Sequence, residues 1–325
     1  MTIKTKSIHP PVKKRLFVFG CSYTAYSWPM WSDLLSLHYD EFENWGWSGV
    51  GNRAIAERVA EANVKHKFTS NDTVIVQWST HLRHDFFHQE SVPTRIPGWK
   101  TAGSVFNYLN AELYDEKWLK TFFDEEAYFM HTLNHISLTQ HMLESTGATW
   151  LMTSIGDVRE LGTDINTIKE YGENSLFSKI MEKITGPQKH FGYKVTPSLE
   201  VYDDAIWGKY ADHWVTPIWP HILSTEDNSS QDIIFYKFID ESKEWFFDHH
   251  PKPSMQIGWL TTQLLPKLNL DESKILEYHG IAKLTDEIYE EYKLVNTKRD
   301  FEKALFKTEW SLPTWPNMIK GYFHF

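Results

Sequence analysis

Three short stretches of the chain carry residue types that could act together. Gly20-Cys21-Ser22 places a hydroxyl in a turn of small residues, and Asp248-His249-His250-Pro251 places a carboxylate and an imidazole two positions apart. Between them in sequence, Asn44-Trp45-Gly46-Trp47-Ser48-Gly49 is a glycine-rich turn. A serine, a histidine and an acid are what acyl transfer requires: a nucleophile, a base, and a group that holds the imidazole in one tautomer. The backbone N–H groups of Ser22 and Gly49 are candidate oxyanion donors, since glycine lets the main chain come close to a substrate. Tyr23, Asn52, Trp78 and Arg83, beside these stretches, are the candidate substrate contacts. Each stretch also has a plainer reading. Ser22 taken alone is a turn or helix-cap serine, Cys21 is a rival nucleophile or a small buried residue, and His249 competes with His250 as base.

For the three stretches to meet, they must leave the same edge of one sheet. Residues 16–19 are apolar at every position and stop at Gly20, the pattern of a strand buried on both faces. Residues 26–37 carry Trp28, Trp31, Leu34 and Leu35 near helical spacing, with Pro29 suited to a first turn. Strands are expected at 41–47, 73–78 and 149–155, and helices at 53–67, 125–145, 254–268 and 271–295. Strand and helix alternate through residue 155, the signature of a parallel α/β sheet, in which Ser22 ends a central strand where such sheets build their sites. Residues 82–124 and 157–245 break the alternation and read as insertions. Residues 271–325 form a helical and aromatic extension, and the whole reads as one domain.

Two further patterns bear on cofactors and metals. Gly49-Val50-Gly51-Asn52-Arg53-Ala54 fits a dinucleotide fingerprint, but it follows the second strand, and the acid some twenty positions on, Asp72, opens a strand instead of ending one. His81, His84 and His88 have the spacing of metal ligands on a helix, with no carboxylate or cysteine set to complete a tetrahedral site. The expectation is no cofactor and no metal.

Net charge −10 and the absence of a long basic stripe exclude a nucleic-acid partner as the working expectation. A single cysteine rules out an internal disulfide framework. No run reaches the length of a membrane span and residues 1–11 hold no signal-like apolar core, so a cytoplasmic location is expected. The 15 Trp, 15 Tyr and 20 Phe either line a sugar-binding surface or make a thick aromatic core.

The three stretches together resemble the SGNH (GDSL-like) hydrolase family. Gly20-Cys21-Ser22 is similar to its Gly-Asp-Ser block with Cys21 in place of the acid; Asn44, Gly46, Ser48 and Gly49 match its second block; and Asp248, His250 and Pro251 match its last. The resemblance implies a three-layer α/β/α, flavodoxin-like fold and a serine esterase: Ser22 as nucleophile, His250 (directly before proline) as base, Asp248 as its partner and Gly49 as oxyanion donor. The family's third block departs: Ser79-Thr80-His81-Leu82 stands where Gly-x-Asn-Asp is usual, so His81 takes the asparagine's place, and a neutral imidazole has one N–H to offer. Ionised Asp248 is expected to raise the titration of His250. The substrate expected is a small-molecule or glycan ester, such as an O-acetyl group on a carbohydrate. Lipid or thioester hydrolysis and acyl transfer are variants of the same chemistry. From another class, a non-catalytic binding module or virion component on a decayed hydrolase fold fits the altered third block, and the chain has the character of phage and marine bacterial members.

Overall fold

Leu16, Phe17, Val18 and Phe19 are all buried, as an unbroken apolar run requires of a strand with neighbours on both sides. The computed structural model describes residues 13–81, 83–87, 99–104, 121–122, 125–156, 158, 201–224, 230–239, 244–293, 298–308, 310 and 312. In chain order the strands among them are β1 (Arg15–Phe19), β2 (Glu41–Asn44), β3 (Asp72–Trp78), β4 (Arg83–Phe87), β5 (Trp99–Ser104), β6 (Thr149–Ser154), β7 (Phe235–Ile239) and β8 (Trp245–Pro251). The helices used below are α1 (Trp31–Leu35), α2 (Asn52–His66), α3 (Glu125–Glu144), α4 (Ile218–Ser224), α5 (Gln231–Ile234), α6 (Pro253–Trp259), α7 (Ile275–Tyr292) and α8 (Lys298–Lys307).

Four strands form one parallel sheet in the order β2-β1-β3-β6. Leu16 stands between Phe42 and Thr73, which fixes β1 near the middle and sends its carboxyl end, with Ser22, out beside the ends of β2 and β3. Helices α1 and α2 make the crossovers between the first three strands, and α2 packs against α3. Helix α6 packs against α1, α4 and α7. The alternation expected from the sequence is therefore an α/β arrangement around a parallel sheet. Among the described residues no helix is long and apolar enough to cross a membrane.

Several elements differ from their sequence-based expectation. The helix expected at 26–37 is only Trp31–Leu35 and a 3-10 turn, Ser36–His38. Pro29 disfavours helical conformation at Trp28, and Met30 remains extended. Residues 83–87 and 99–104, read as irregular insertion, pair as an antiparallel hairpin. His84 lies on β4 and His81 in the turn before it, so the two share no helical face, and His88 lies outside the described residues. Phe246 to Pro251, read as a lead-in to a helix, belong to β8, antiparallel to β7. The amphipathic helix that follows passes from α6 through a π-helical stretch, Leu260–Leu264, and a last turn, Leu265–Lys267. Most of the 157–245 insertion and the last aromatic residues, Trp315, Tyr322, Phe323 and Phe325, lie outside the described residues.

Among the described residues many of the aromatic side chains pack into the interior. Trp28, Trp31, Trp78, Trp219 and Trp259 are fully buried, as are Phe17, Phe19, Tyr236 and Tyr278. Trp28 and Tyr236 pack with Phe238, Tyr289, Phe301 and Leu305 in a cluster of their own, which joins β7 to α7 and α8.

Candidate functional site

Strand β8 carries the acid and the base. Side chains alternate along a strand, so Asp248 and His250 share one face while His249 takes the other, where its ring meets Phe235 at 5.2 Å. Asp248 is 7% exposed, and its Oδ1 accepts from His250 Nδ1 at 2.6 Å and from the His250 backbone N–H at 3.2 Å. A carboxylate can only accept, so the ring proton sits on Nδ1 and leaves Nε2 as the free base nitrogen. The other carboxylate oxygen, Oδ2, accepts from the Tyr26 hydroxyl at 2.7 Å and lies 2.7 Å from the Lys298 ammonium.

The turn after β1 is stapled to this strand across more than 220 positions of sequence. Tyr23 donates its hydroxyl to the His249 carbonyl at 2.9 Å, and the Trp28 indole donates to the Pro251 carbonyl at 3.2 Å. The Trp31 backbone N–H donates to Gln256 Oε1 at 2.8 Å, and Gln256 Nε2 donates back to the Pro251 carbonyl at 2.9 Å. The rings close on His250 from three directions: Tyr26 stacked at 3.5 Å, Tyr23 tilted at 4.9 Å and Trp28 edge-on at 6.2 Å. Aromatic residues that the sequence offered as a ligand surface thus hold the imidazole.

Ser22 lies in that turn, which is closed by the N–H groups of Thr24 and Ala25 on the Cys21 carbonyl at 2.9 and 3.1 Å. Cys21 is wholly buried and Ser22 is 4% exposed. Among the described residues neither the Ser22 hydroxyl nor His250 Nε2 makes a side-chain hydrogen bond, so the serine–histidine link is open in this structure. Catalytic hydrogen bonds of this kind often close only around substrate.

The glycine turn is drawn against the serine turn. Asn44 donates through Nδ2 to the Thr24 carbonyl at 2.9 Å and to Ser32 Oγ at 3.0 Å, while its Oδ1 accepts from the Gly46 N–H at 2.9 Å. The Trp47 N–H donates to the Gly20 carbonyl at 2.9 Å. A Cβ on Gly46 would stand 2.9 Å from the Ala25 Cβ and 3.0 Å from the Thr24 Cβ, closer than side chains approach. Gly49 has φ +83°, a left-handed conformation that costs glycine nothing. The structure therefore places Ser22, Gly49 and the Asp248–His250 pair on one side of the molecule, at the carboxyl edge of the sheet.

The third block leads into a cleft of about 400 Å³. Its walls include Asn52, His81, Arg83, His84, Tyr128 and Thr132. His81 is buried, its ring edge-on to Phe129 at 5.4 Å. Arg83 donates to the Val50 carbonyl at 2.9 Å, and Asp85 accepts from the N–H groups of Gly51 and Ala54 at 2.7 and 3.1 Å, capping α2 from the neighbouring strand. Ser22, Gly49 and His250 do not line this cleft. Arg83 is what relates the two regions, since its charge acts on His250 and on Tyr23.

Two of the expected substrate contacts are corrected, and a third is given a second role. Trp78 has no exposed surface, and its indole N–H points to Met152 Sδ at 3.3 Å; the sheet buries β3 on both faces, so its last residue serves the core. Tyr23 spends its hydroxyl on His249 and its ring on His250. Asn52 lines the cleft but braces it, taking the Ser79 N–H at 2.8 Å and donating to the Ser79 carbonyl at 3.0 Å and to Thr132 Oγ1 at 3.1 Å. Asp72, the acid weighed for a dinucleotide site, opens β3 at the opposite edge in an ion pair with Arg15 at 2.6 Å. Sequence reasoning missed Tyr26 and Lys298, which no motif marks.

Burial pushes the Asp248 carboxyl up, but His250 and Lys298 outweigh it and hold Asp248 well below the usual carboxylate range. For His250 the balance is opposite to expectation. Burial lowers it more than Asp248 raises it, with Lys298 and Arg83 adding to the fall. The imidazole is therefore kept neutral, which is the form a general base requires. Burial raises the Tyr26 phenol well above its ordinary value, and the neighbouring Asp248 charge adds to this, so it stays a donor.

No protein-family model matches the chain, and comparison with the curated proteins and with the solved structures returns no match.

Proposed function

We propose that the protein is a serine esterase of SGNH type, built on a three-layer α/β/α domain. The observation that carries this reading is the Asp248–His250 pair at 2.6 Å, hydrogen-bonded through its own strand to the turn that holds Ser22. His250 Nε2 takes the proton of Ser22 as Oγ attacks the ester carbonyl. The oxyanion that forms is met by the backbone N–H groups of Ser22 and Gly49, with His81 as the third donor. Collapse of the tetrahedral species expels the alcohol, which receives the proton from His250. Water, deprotonated by the same imidazole, then releases the acid and regenerates Ser22.

The neighbouring cleft has walls both polar and apolar, which suits a small-molecule or glycan ester such as an O-acetylated sugar and leaves a lipid or thioester chain as a variant of the same chemistry. His81, Arg83, His84 and Thr132 bring polar side chains there, and Phe122 and Tyr128 add aromatic surface. A fluorophosphonate probe tests the chemistry: Ser22 should be labelled, and labelling should be lost in His250→Gln. The open link between Ser22 and His250 favours the second reading, a binding module on a hydrolase fold. An unlabelled Ser22 in folded protein decides for that module.

A further inference from the structure

We propose that Lys298, on helix α8, is a positioning residue for the dyad: its ammonium clamps Asp248 and keeps the His250 imidazole neutral. The catalytic consequence rests on the esterase reading; the effect on the imidazole does not.

Lys298 Nζ lies 2.7 Å from Asp248 Oδ2 and donates to the Tyr26 hydroxyl at 2.7 Å, so the acid's second oxygen is held from two sides. One helical turn on, Glu302 Oε1 stands 3.5 Å from the same ammonium. Both acids are almost wholly buried, and the lysine is itself largely covered. A cation withdrawn from water in this way is tolerated only with close partners, and two carboxylates supply them. Burial pulls the Lys298 amine down, but Asp248 and Glu302 raise it above its ordinary value and keep it charged. The Lys298 ammonium lies over the Tyr26 ring at 4.8 Å, and α8 is seated by Phe301 and Leu305 in the aromatic cluster around Trp28.

The groups that face His250 come from four places. Asp248 lies on its own strand, Tyr23 and Tyr26 on the turn after β1, Arg83 on β4, and Lys298 on α8. An acid 2.6 Å from an imidazole with nothing on its far side would favour the imidazolium, which cannot accept a proton from serine. Lys298 draws on the opposite oxygen. It leaves the hydrogen bond that orients Nδ1 and cancels part of the pull on the proton. Glu302 in turn moderates Lys298, so removing the Lys298 charge and removing the Glu302 charge act on His250 in opposite directions.

The test is a histidine-resolved NMR titration of the full chain, alongside pH–rate profiles on p-nitrophenyl acetate. In Lys298→Met the His250 pKa should rise by about one pH unit, a tenfold loss of neutral imidazole below it. Lys298→Arg, which keeps the charge, should return it close to wild type. Glu302→Gln should lower it, and carries the test if Lys298→Met does not fold. A His250 titration that stays in place in every folded variant, or falls in Lys298→Met, overturns the proposal. If the titration moves as stated but wild type hydrolyses no ester, the positioning role stands and the esterase reading falls. Hydrolysis with an unmoved titration gives the reverse.

Discussion

Tyr26 lies flat against His250, ring centroids 3.5 Å apart and planes 17° apart, while its hydroxyl reaches past the imidazole to Asp248 at 2.7 Å. One side chain thus fixes both members of the pair: the ring limits rotation of the imidazole and the hydroxyl fixes the carboxylate. Tyr26→Phe keeps the stack and removes a hydrogen bond to a charged, buried acceptor, a loss of about 1.5–3 kcal/mol. Urea unfolding of the two proteins measures it directly. A stability unchanged within error would mean that Lys298 alone satisfies Oδ2.

The acid limb of ester hydrolysis should fall below the ordinary histidine value. His250 is lowered by burial first, with Asp248 opposing and Lys298 and Arg83 assisting. A lowered base stays neutral further into the acid range, so kcat/KM at pH about 6.5, where half of an unperturbed histidine is already protonated, should stand above half its plateau. An inflection above pH 7 in the rate profile contradicts this balance and returns the larger weight to Asp248.

How much of this was legible in the sequence depends on how local each signal is. Strands β1 and β3 were, because residues 16–19 are apolar at every position and residues 73–76 are β-branched at every position, patterns too short for a helix. The Asp-x-His-Pro spacing was too, since two side chains on one strand face need only each other. Strand β8 was not: its exposed Trp245 and Phe246 and its polar residues blur the alternation, and its partner β7 lies in the stretch read as an insertion. Tyr26 and Lys298 were invisible for a stronger reason. Their partner Asp248 is 222 and 50 positions away, and only the packing of α8 and the serine turn brings them to it. Trp78 differs in the other direction: a strand end suggests the site, but a side chain buried on β3 and hydrogen-bonded to Met152 belongs to the core.

His81 should act on turnover and not on binding. Its buried ring lines the cleft edge-on to Phe129, and loss of one oxyanion donor costs about a hundredfold to a thousandfold in kcat. His81→Ala should show that loss with KM little changed, and His81→Asn should recover part of it. A KM effect with kcat preserved would make His81 a wall of the cleft alone.

Asp33 offers a prediction about stability that is independent of function. Its carboxyl is buried in α1; Oδ2 accepts the Met30 N–H at 2.8 Å, and Oδ1 has no hydrogen-bond partner among the described residues. Burial pushes it up to about 7, against the backbone hydrogen bonds that pull it down. A raised carboxyl holds its proton in the folded chain after the unfolded chain has lost it. The contribution is therefore full below pH about 4, falls as pH rises, and is gone above pH about 7, a swing of roughly 4 kcal/mol. Histidines lowered by burial, His38, His84, His135, His221 and His250, act in the opposite sense over part of that window, so the comparison must be between two proteins. Asp33→Asn keeps an acceptor for Met30 and cannot ionise, at the cost of an amide N–H beside a buried position, about 1–3 kcal/mol. The variant should be the less stable protein at pH 4 and the more stable at pH 8, with the curves crossing between. Urea midpoints taken at half-unit steps locate the crossing, and two curves that stay parallel from pH 4 to pH 8 would show that Asp33 is ionised in the folded chain throughout.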